Sequence, residues 1–190
     1  IMGGQDTQWA LNNMDKIAKC TNLKYLRIGG VEWNPEKVDI SSVSNLSKIA
    51  SLENLTELQL YKIKVSDEDY SAIKEIKSLN TLNITLCNIT DISWIDTLEN
   101  LNTLSISECQ LNKGIKALSS LKNLSYLNLQ YNSLYDLSEY NKVPYNTCEI
   151  LASMNKNNGG VLEELYLAGN NNITDFSFVQ KCKWKGKSGF

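Results

Sequence analysis

The sequence has no histidine in its 190 residues. Without imidazole there is no Ser–His or Cys–His catalysis, and no metal site that needs a histidine ligand. No apolar run reaches the roughly 20 residues of a membrane helix, so no membrane insertion is expected. No secretory signal pattern is visible. Neither charge sign prevails: 19 Lys and Arg against 21 Asp and Glu give −2, too near neutral to suggest nucleic acid or another polyanion as partner. The five cysteines, Cys20, Cys87, Cys109, Cys148 and Cys182, are far apart with no Cys-x-x-Cys among them, which disfavours a zinc ribbon. Gly29-Gly30 is not followed by the Lys-Ser/Thr of a phosphate loop. Asp67, Glu68 and Asp69, and likewise Glu163 and Glu164, are chain neighbours, whereas hydrolytic carboxylates oppose each other across a cleft. The sequence therefore offers no catalytic residues, metal or cofactor, and the chain is not expected to be an enzyme.

What is present is a repeat, and a repeat decides the fold. Leu79, Leu82, Ile84, Cys87 and Ile89 follow Leu-x-x-Leu-x-Leu-x-x-Cys-x-Leu. Leu101, Leu104, Ile106, Cys109 and Leu111 repeat it, as do Leu124, Leu127, Leu129, Asn132 and Leu134. Leu162, Leu165, Leu167 and Asn170 start it again, and Ile173 closes it one position late. Upstream, Leu55, Leu58, Leu60, Ile63 and Val65 fit the apolar positions, and Leu23, Leu26, Ile28, Val31 and Trp33 fit them more loosely.

Within each unit, Leu-x-Leu is strand alternation with both apolar side chains on one face. One such strand cannot bury that face alone, and stacking one per repeat makes a parallel sheet over a continuous core. Ile89, Ile92, Ile95 and Leu98 recur every three residues, which predicts tight helical returns. Val65, Tyr70, Ile73 and Ile76 belong to a longer return that Ser66 and Asp69 start as a variant capping box.

The pattern predicts a single α/β domain over 1–190, a solenoid with a curved parallel sheet on its concave face and short helical or irregular returns on its convex face. Residues 1–19 are expected to form a helical N-terminal cap carrying Trp9, Leu11, Met14 and Ile17. Residues 20–180 hold about six repeats, interrupted by an insertion at 135–161. There Thr147 would cap a helix with Cys148, Ile150, Leu151 and Met154, and Asn157-Asn-Gly-Gly160 would end it. Residues 181–190, with Lys181, Lys183, Lys185 and Lys187, read as a basic solvated tail.

The segment Asn88-Ile-Thr-Asp-Ile-Ser-Trp-Ile-Asp-Thr-Leu-Glu-Asn-Leu101 and its echo Asn172-Ile-Thr-Asp-Phe-Ser-Phe178 carry a closer likeness. Over roughly residues 20–180 the chain resembles the leucine-rich-repeat family, and within it the short bacterial type of the internalins. The proline usual in that stretch is missing, with Trp94 near its place. The resemblance implies a protein-recognition module of a bacterial surface or secreted protein. Scattered cysteines suit a reducing compartment, so an intracellular scaffold or regulatory subunit in the cytoplasm is the alternative. The resemblance also implies that Cys87, Cys109, Asn132 and Asn170 form one buried column, the amides satisfying backbone groups in the turn that leaves each strand. All five thiols are expected to be reduced. Asn-x-Ser/Thr at Asn45, Asn54, Asn83, Asn88, Asn123 and Asn172 is read as a by-product of the strand motif, not as glycosylation.

The residues between the apolar positions should face the concave side. They are small and polar in the middle of the array and include tyrosines on both flanks, a composition enriched at interfaces. Gln59, Tyr61, Asn83, Tyr126, Asn128, Tyr131 and Tyr166 are the candidate ligand-binding residues, for a protein partner. The isolated domain is expected to be monomeric. The insertion at 135–161 is the rival site, because long loops often carry function.

Overall fold

The computed structural model describes residues 13–29, 41–134, 147–157, 162–173 and 188–189. Trp9, Leu11, Val31, Trp33, Asn158 to Gly160, Phe178 and Lys181 to Lys187 lie outside them. So do the side chain of Cys148 and all of Cys182.

The predicted solenoid is present. Strands β1 (Tyr25–Ile28), β3 (Glu57–Tyr61), β5 (Thr81–Thr85), β6 (Thr103–Ser107), β7 (Tyr126–Asn128) and β8 (Glu164–Tyr166) follow one another in a single sheet. All neighbours are parallel and in register, so Leu26, Leu58, Leu82, Leu104, Leu127 and Leu165 form one row across the sheet. That row is buried, as are the rows through Leu60, Ile84, Ile106 and Leu129 and through Leu55, Leu79, Leu101 and Leu124. The returns close the core from the other side with Ile49, Ile73, Ile95 and Leu118, each on a 3₁₀ turn: Leu46–Ser51, Ala72–Glu75, Ile95–Thr97 and Ile115–Ser120.

Two elements depart from the sequence reading. The 181–190 segment, read as a tail, contributes β9 (Ser188–Gly189), a seventh strand beside β8. An edge of parallel sheet presents unpaired backbone groups, and a two-residue strand is enough to cover part of it. Between the first two units, β2 (Ser41–Val43) pairs with β4 (Ile63–Val65) in a second, two-stranded parallel sheet that the repeat pattern did not announce.

Of the N-terminal cap, the described helix is Met14–Ile17, with Met14 and Ile17 buried. An ion pair from Lys48 to Asp15 ties it to the first return. Ser66 caps Asp67–Ser71 as expected, its hydroxyl accepting from the Asp69 N–H at 3.1 Å. In the insertion the helix is Thr147–Asn157, with Ile150, Leu151 and Met154 buried and packed on the 3₁₀ turn Ile115–Ser120. Thr147 is the first described residue of the helix and is itself helical, so it does not serve as the cap.

Polar columns tie the repeats together. Asn132 donates to the carbonyls of Ile106 (2.7 Å), Leu129 (3.0 Å) and Gln130 (3.2 Å) and accepts from the Leu111 N–H. Asn170 donates to Leu129 and Leu167, both at 2.8 Å, and accepts from Leu134. Cys87 and Cys109 occupy the same column with weaker thiol donors, Cys87 to Thr85 at 3.3 Å and Cys109 to Ser107 at 3.2 Å. Cys20, Cys87 and Cys109 are free thiols. Burial pushes the Cys87 thiol up to about 11 and the Cys109 thiol up to about 12.

A second ladder precedes β3, β5, β6 and β7. The side chains of Asn54, Ser78, Asn100 and Asn123 donate to the carbonyls of Thr21, Leu55, Lys77 and Glu99, each one repeat back. Asn88 goes further. Its amide donates to the Val65 carbonyl and accepts from the Val65 N–H, both at 2.9 Å, standing in for one more strand beside β4. Buried Tyr70 donates to the same Asn88 oxygen at 3.1 Å, and desolvation raises its phenol far above the ordinary range.

Candidate recognition face

Because the strands are in register, the side chains opposite the core also line up in rows. One row reads Tyr25, Glu57, Thr81, Thr103, Tyr126 and Glu164. The next reads Arg27, Gln59, Asn83, Ser105, Asn128 and Tyr166. A shorter third row joins Tyr61, Thr85 and Ser107. All seven candidate residues lie on this face or its rim, and the structure brings them together as two clusters with Asn83 between.

In the first cluster the Tyr25 hydroxyl donates to Gln59 Oε1 at 3.3 Å, and Gln59 Nε2 donates to Glu57 at 2.8 Å. Lys62 Nζ lies 5.6 Å from the centre of the Tyr61 ring, within cation–π range. In the second, the Tyr126 and Tyr166 rings pack at 5.4 Å, tilted by 41°. The Tyr166 hydroxyl donates to Glu164 Oε2 at 2.7 Å, and that bond holds its phenol proton above the ordinary tyrosine range. Tyr131 is 59 % exposed and Tyr25 46 %, while Tyr61, Tyr126 and Tyr166 are half-buried. Between the clusters, the Thr85 hydroxyl donates to Asn83 Oδ1 at 2.9 Å and lies 3.3 Å from the Ser107 hydroxyl. Asn128 Oδ1 accepts from the Gln130 N–H at 3.0 Å.

The rim at the strand ends has a feature with no marker in the sequence. Lys62, Leu86, Glu108 and Tyr131, one per repeat, have φ of 50–55°. Their N–H groups still pair with the next repeat, at Thr85, Ser107, Gln130 and Ala168. This left-handed corner turns the chain off the sheet, and for a residue with a Cβ it costs roughly 1–2 kcal/mol. Gly169 holds the same position in the last unit. A Cβ there would fall 2.3 Å from the Tyr131 ring, so the absence of a side chain at 169 makes the seat for Tyr131.

Among the described residues no group of three or more Cys, Asp or Glu side chains is arranged to hold a metal ion. No described helix is long and apolar enough to cross a membrane. Two hollows flank the sheet, the second reaching Tyr25 and Arg27 at the edge of the first cluster. One of about 380 Å³ lies beside β4, lined by Ser42, Lys64, Ser66, Asp67 and Asn88. The other, about 390 Å³, lies beside β1 and the helix Met14–Ile17.

The backbone is similar to those of several solved proteins. An internalin (inlF) from Listeria monocytogenes superimposes with a TM-score of 0.63 at 22% identity, over 92% of this chain and 49% of that one. Internalin C2 from the same species gives 0.63 at 25% identity, over 91% of this chain and 74% of that one. A leucine-rich-repeat protein from Leptospira interrogans gives 0.59 at 20% identity, over 95% and 52%. The chain thus spans about half the length of two of these proteins and three quarters of the other. No protein-family model and no curated protein sequence matches it.

Proposed function

We propose that this chain, a leucine-rich-repeat solenoid of the internalin-like type, is a protein-recognition module whose concave sheet face receives the partner. The observation that carries this reading is the register: rows of polar and aromatic side chains cross six adjacent strands on one face. Six strands about 4.8 Å apart make a face roughly 25–30 Å wide, enough for a standard protein interface. Tyrosines give large contact area at low entropy cost, and amides give adjustable hydrogen bonds. Gln59, Tyr61, Asn83, Tyr126, Asn128, Tyr131 and Tyr166 are the contact residues of this reading. The module is a binder and not an enzyme, and it is monomeric on its own. Its partner is neither nucleic acid nor membrane.

The likeness to internalins supports placement at a bacterial surface or in a secreted protein. The second reading, a cytoplasmic scaffold, draws on the free thiols of Cys20, Cys87 and Cys109.

The experiment sets two changes against each other. Replacing Tyr126 and Tyr131 by Ala should weaken partner binding by more than about 1 kcal/mol with the fold intact. Deleting the 135–161 insertion is the counter-test. Binding that survives the tyrosine changes and disappears with the insertion, in a shortened chain that still melts cooperatively, would move the site to the insertion.

A further inference from the structure

The concave face is not uniform. On β5 and β6 the outward side chains are Thr81, Asn83, Thr85, Thr103, Ser105 and Ser107, all uncharged, with the bulkiest an asparagine. The strands on either side are taller. Glu57, Gln59 and Tyr61 stand on β3, and Tyr126 and Asn128 stand on β7 with Tyr166 behind them. The result is a trough two strands wide that runs along the strands. Its walls are three strand spacings apart, about 14 Å, and its floor is about 16 Å long.

Ser105 lies at the centre of that floor. Leu104 and Ile106 on either side of it point into the core, so Ser105 points into the trough. It is only 8 % exposed; among the described residues its hydroxyl makes no hydrogen bond, and its oxygen stays open to solvent through the trough. A hydroxyl that only water satisfies keeps its donor and its acceptors available to a ligand's polar group.

We infer that the trough over β5 and β6 takes an uncharged, extended segment of a partner protein, seated on Ser105. This rests on the concave-face reading and narrows it. Hydroxyls and an amide both donate and accept, which matches the alternating N–H and C=O groups of an extended backbone. A partner helix has its backbone groups already satisfied and needs an apolar groove, which this floor does not supply. The floor holds no charge to pair with a charged segment. Carbohydrate recognition favours open, flat aromatic faces, whereas the Tyr126 and Tyr166 rings are packed on each other.

The test pans the full chain against two displayed libraries of linear peptides, one without Asp, Glu, Lys or Arg and one rich in them. Binders should come from the uncharged library. Ser105→Gln, which fills the trough, should abolish their binding. Ser105→Ala, which removes only the hydroxyl, should weaken it about three- to tenfold, the size of one lost hydrogen bond. Asp96→Ala on the convex side should leave it unchanged. If thermal melting shows that Ser105→Gln does not fold, Ser105→Ala decides. Binders found only in the charged library, or in neither, overturn the inference. So does a glycan array that binds in a Ser105-dependent way while peptides do not. Peptides insensitive to Ser105 but lost with Tyr126→Ala and Tyr131→Ala would sink the trough and leave the concave face standing. Peptides insensitive to all of these changes would sink both.

Discussion

The asparagines on the two sides of this sheet do different work. Along the inter-repeat columns, Asn54, Asn88, Asn100, Asn123, Asn132 and Asn170 each spend their amide on backbone groups of another repeat. On the concave face, Asn83 accepts from a neighbouring hydroxyl and Asn128 from an N–H two residues along, both through the side-chain oxygen. Columns of the first kind hold the solenoid together, because the corner where each strand ends strands carbonyls that no ladder reaches. Side chains of the second kind hold little in place and remain available to a partner. On the proposed reading, stability and recognition are therefore separated by position in the repeat, though the same residue type serves both.

The largest expected effect lies in the core that both populations share. Leu127→Ala should cost about 2–5 kcal/mol in denaturant unfolding, since Leu127 is fully buried between neighbouring repeats. A loss below about 0.5 kcal/mol would contradict the register, because a one-residue slip turns a strand inside out.

The next effect separates the two kinds of asparagine. Asn132→Ala leaves the Ile106 and Gln130 carbonyls and the Leu111 N–H without their side-chain partner, while Leu129 keeps Asn170, and should cost about 2–4 kcal/mol. Asn83→Ala should stay within about 0.5 kcal/mol of wild type, as exposed-face changes usually do. Equal losses from the two would erase the distinction.

The thiol half of the column adds a pH dependence. Folding raises the Cys87 and Cys109 thiols from 9.0 to about 11 and about 12, so between those values the folded chain holds protons that the unfolded chain has lost. Their contribution to stability is complete below pH 9 and declines as pH rises toward 11–12. Thermal melts across that range should show the decline, and a Cys87→Ala, Cys109→Ala variant should show a shallower one.

The smallest effect concerns the rim. Lys62→Gly relieves a left-handed residue at φ 50° and should stabilise by no more than about 1 kcal/mol. A loss there would mean that the Lys62 side chain, over the Tyr61 ring, contributes more than the corner costs.

The strands of all six units and their buried rows were legible in the sequence, because alternation at a fixed spacing leaves an apolar mark wherever a face is buried. The Asn and Cys column was legible through the resemblance. Other features had no such mark. The left-handed corners at Lys62, Leu86, Glu108 and Tyr131 share no residue type, so only the backbone reveals them. The ladder through Asn54, Asn100 and Asn123 was hidden inside Asn-Leu-Ser/Thr and Asn-Leu-Asn strings, although its recurrence just before the first leucine of a unit was a signal that could have found it. β2 falls in the long gap between the first two units, where the leucine spacing lapses. The depth of Ser105 depends on the strands beside it and not on its own repeat. Tyr126 and Tyr166 occupy different rows, so their pairing follows from strand neighbourhood, which spacing alone does not fix.

The most direct test of the central claim places a photo-crosslinking residue at Asn83 on the concave face and, separately, at Asp96 on the convex return, in chains that melt like wild type. In the presence of a captured partner, position 83 should crosslink to it efficiently and position 96 should not. Crosslinking from position 96 with none from position 83 would contradict the assignment of recognition to the concave sheet.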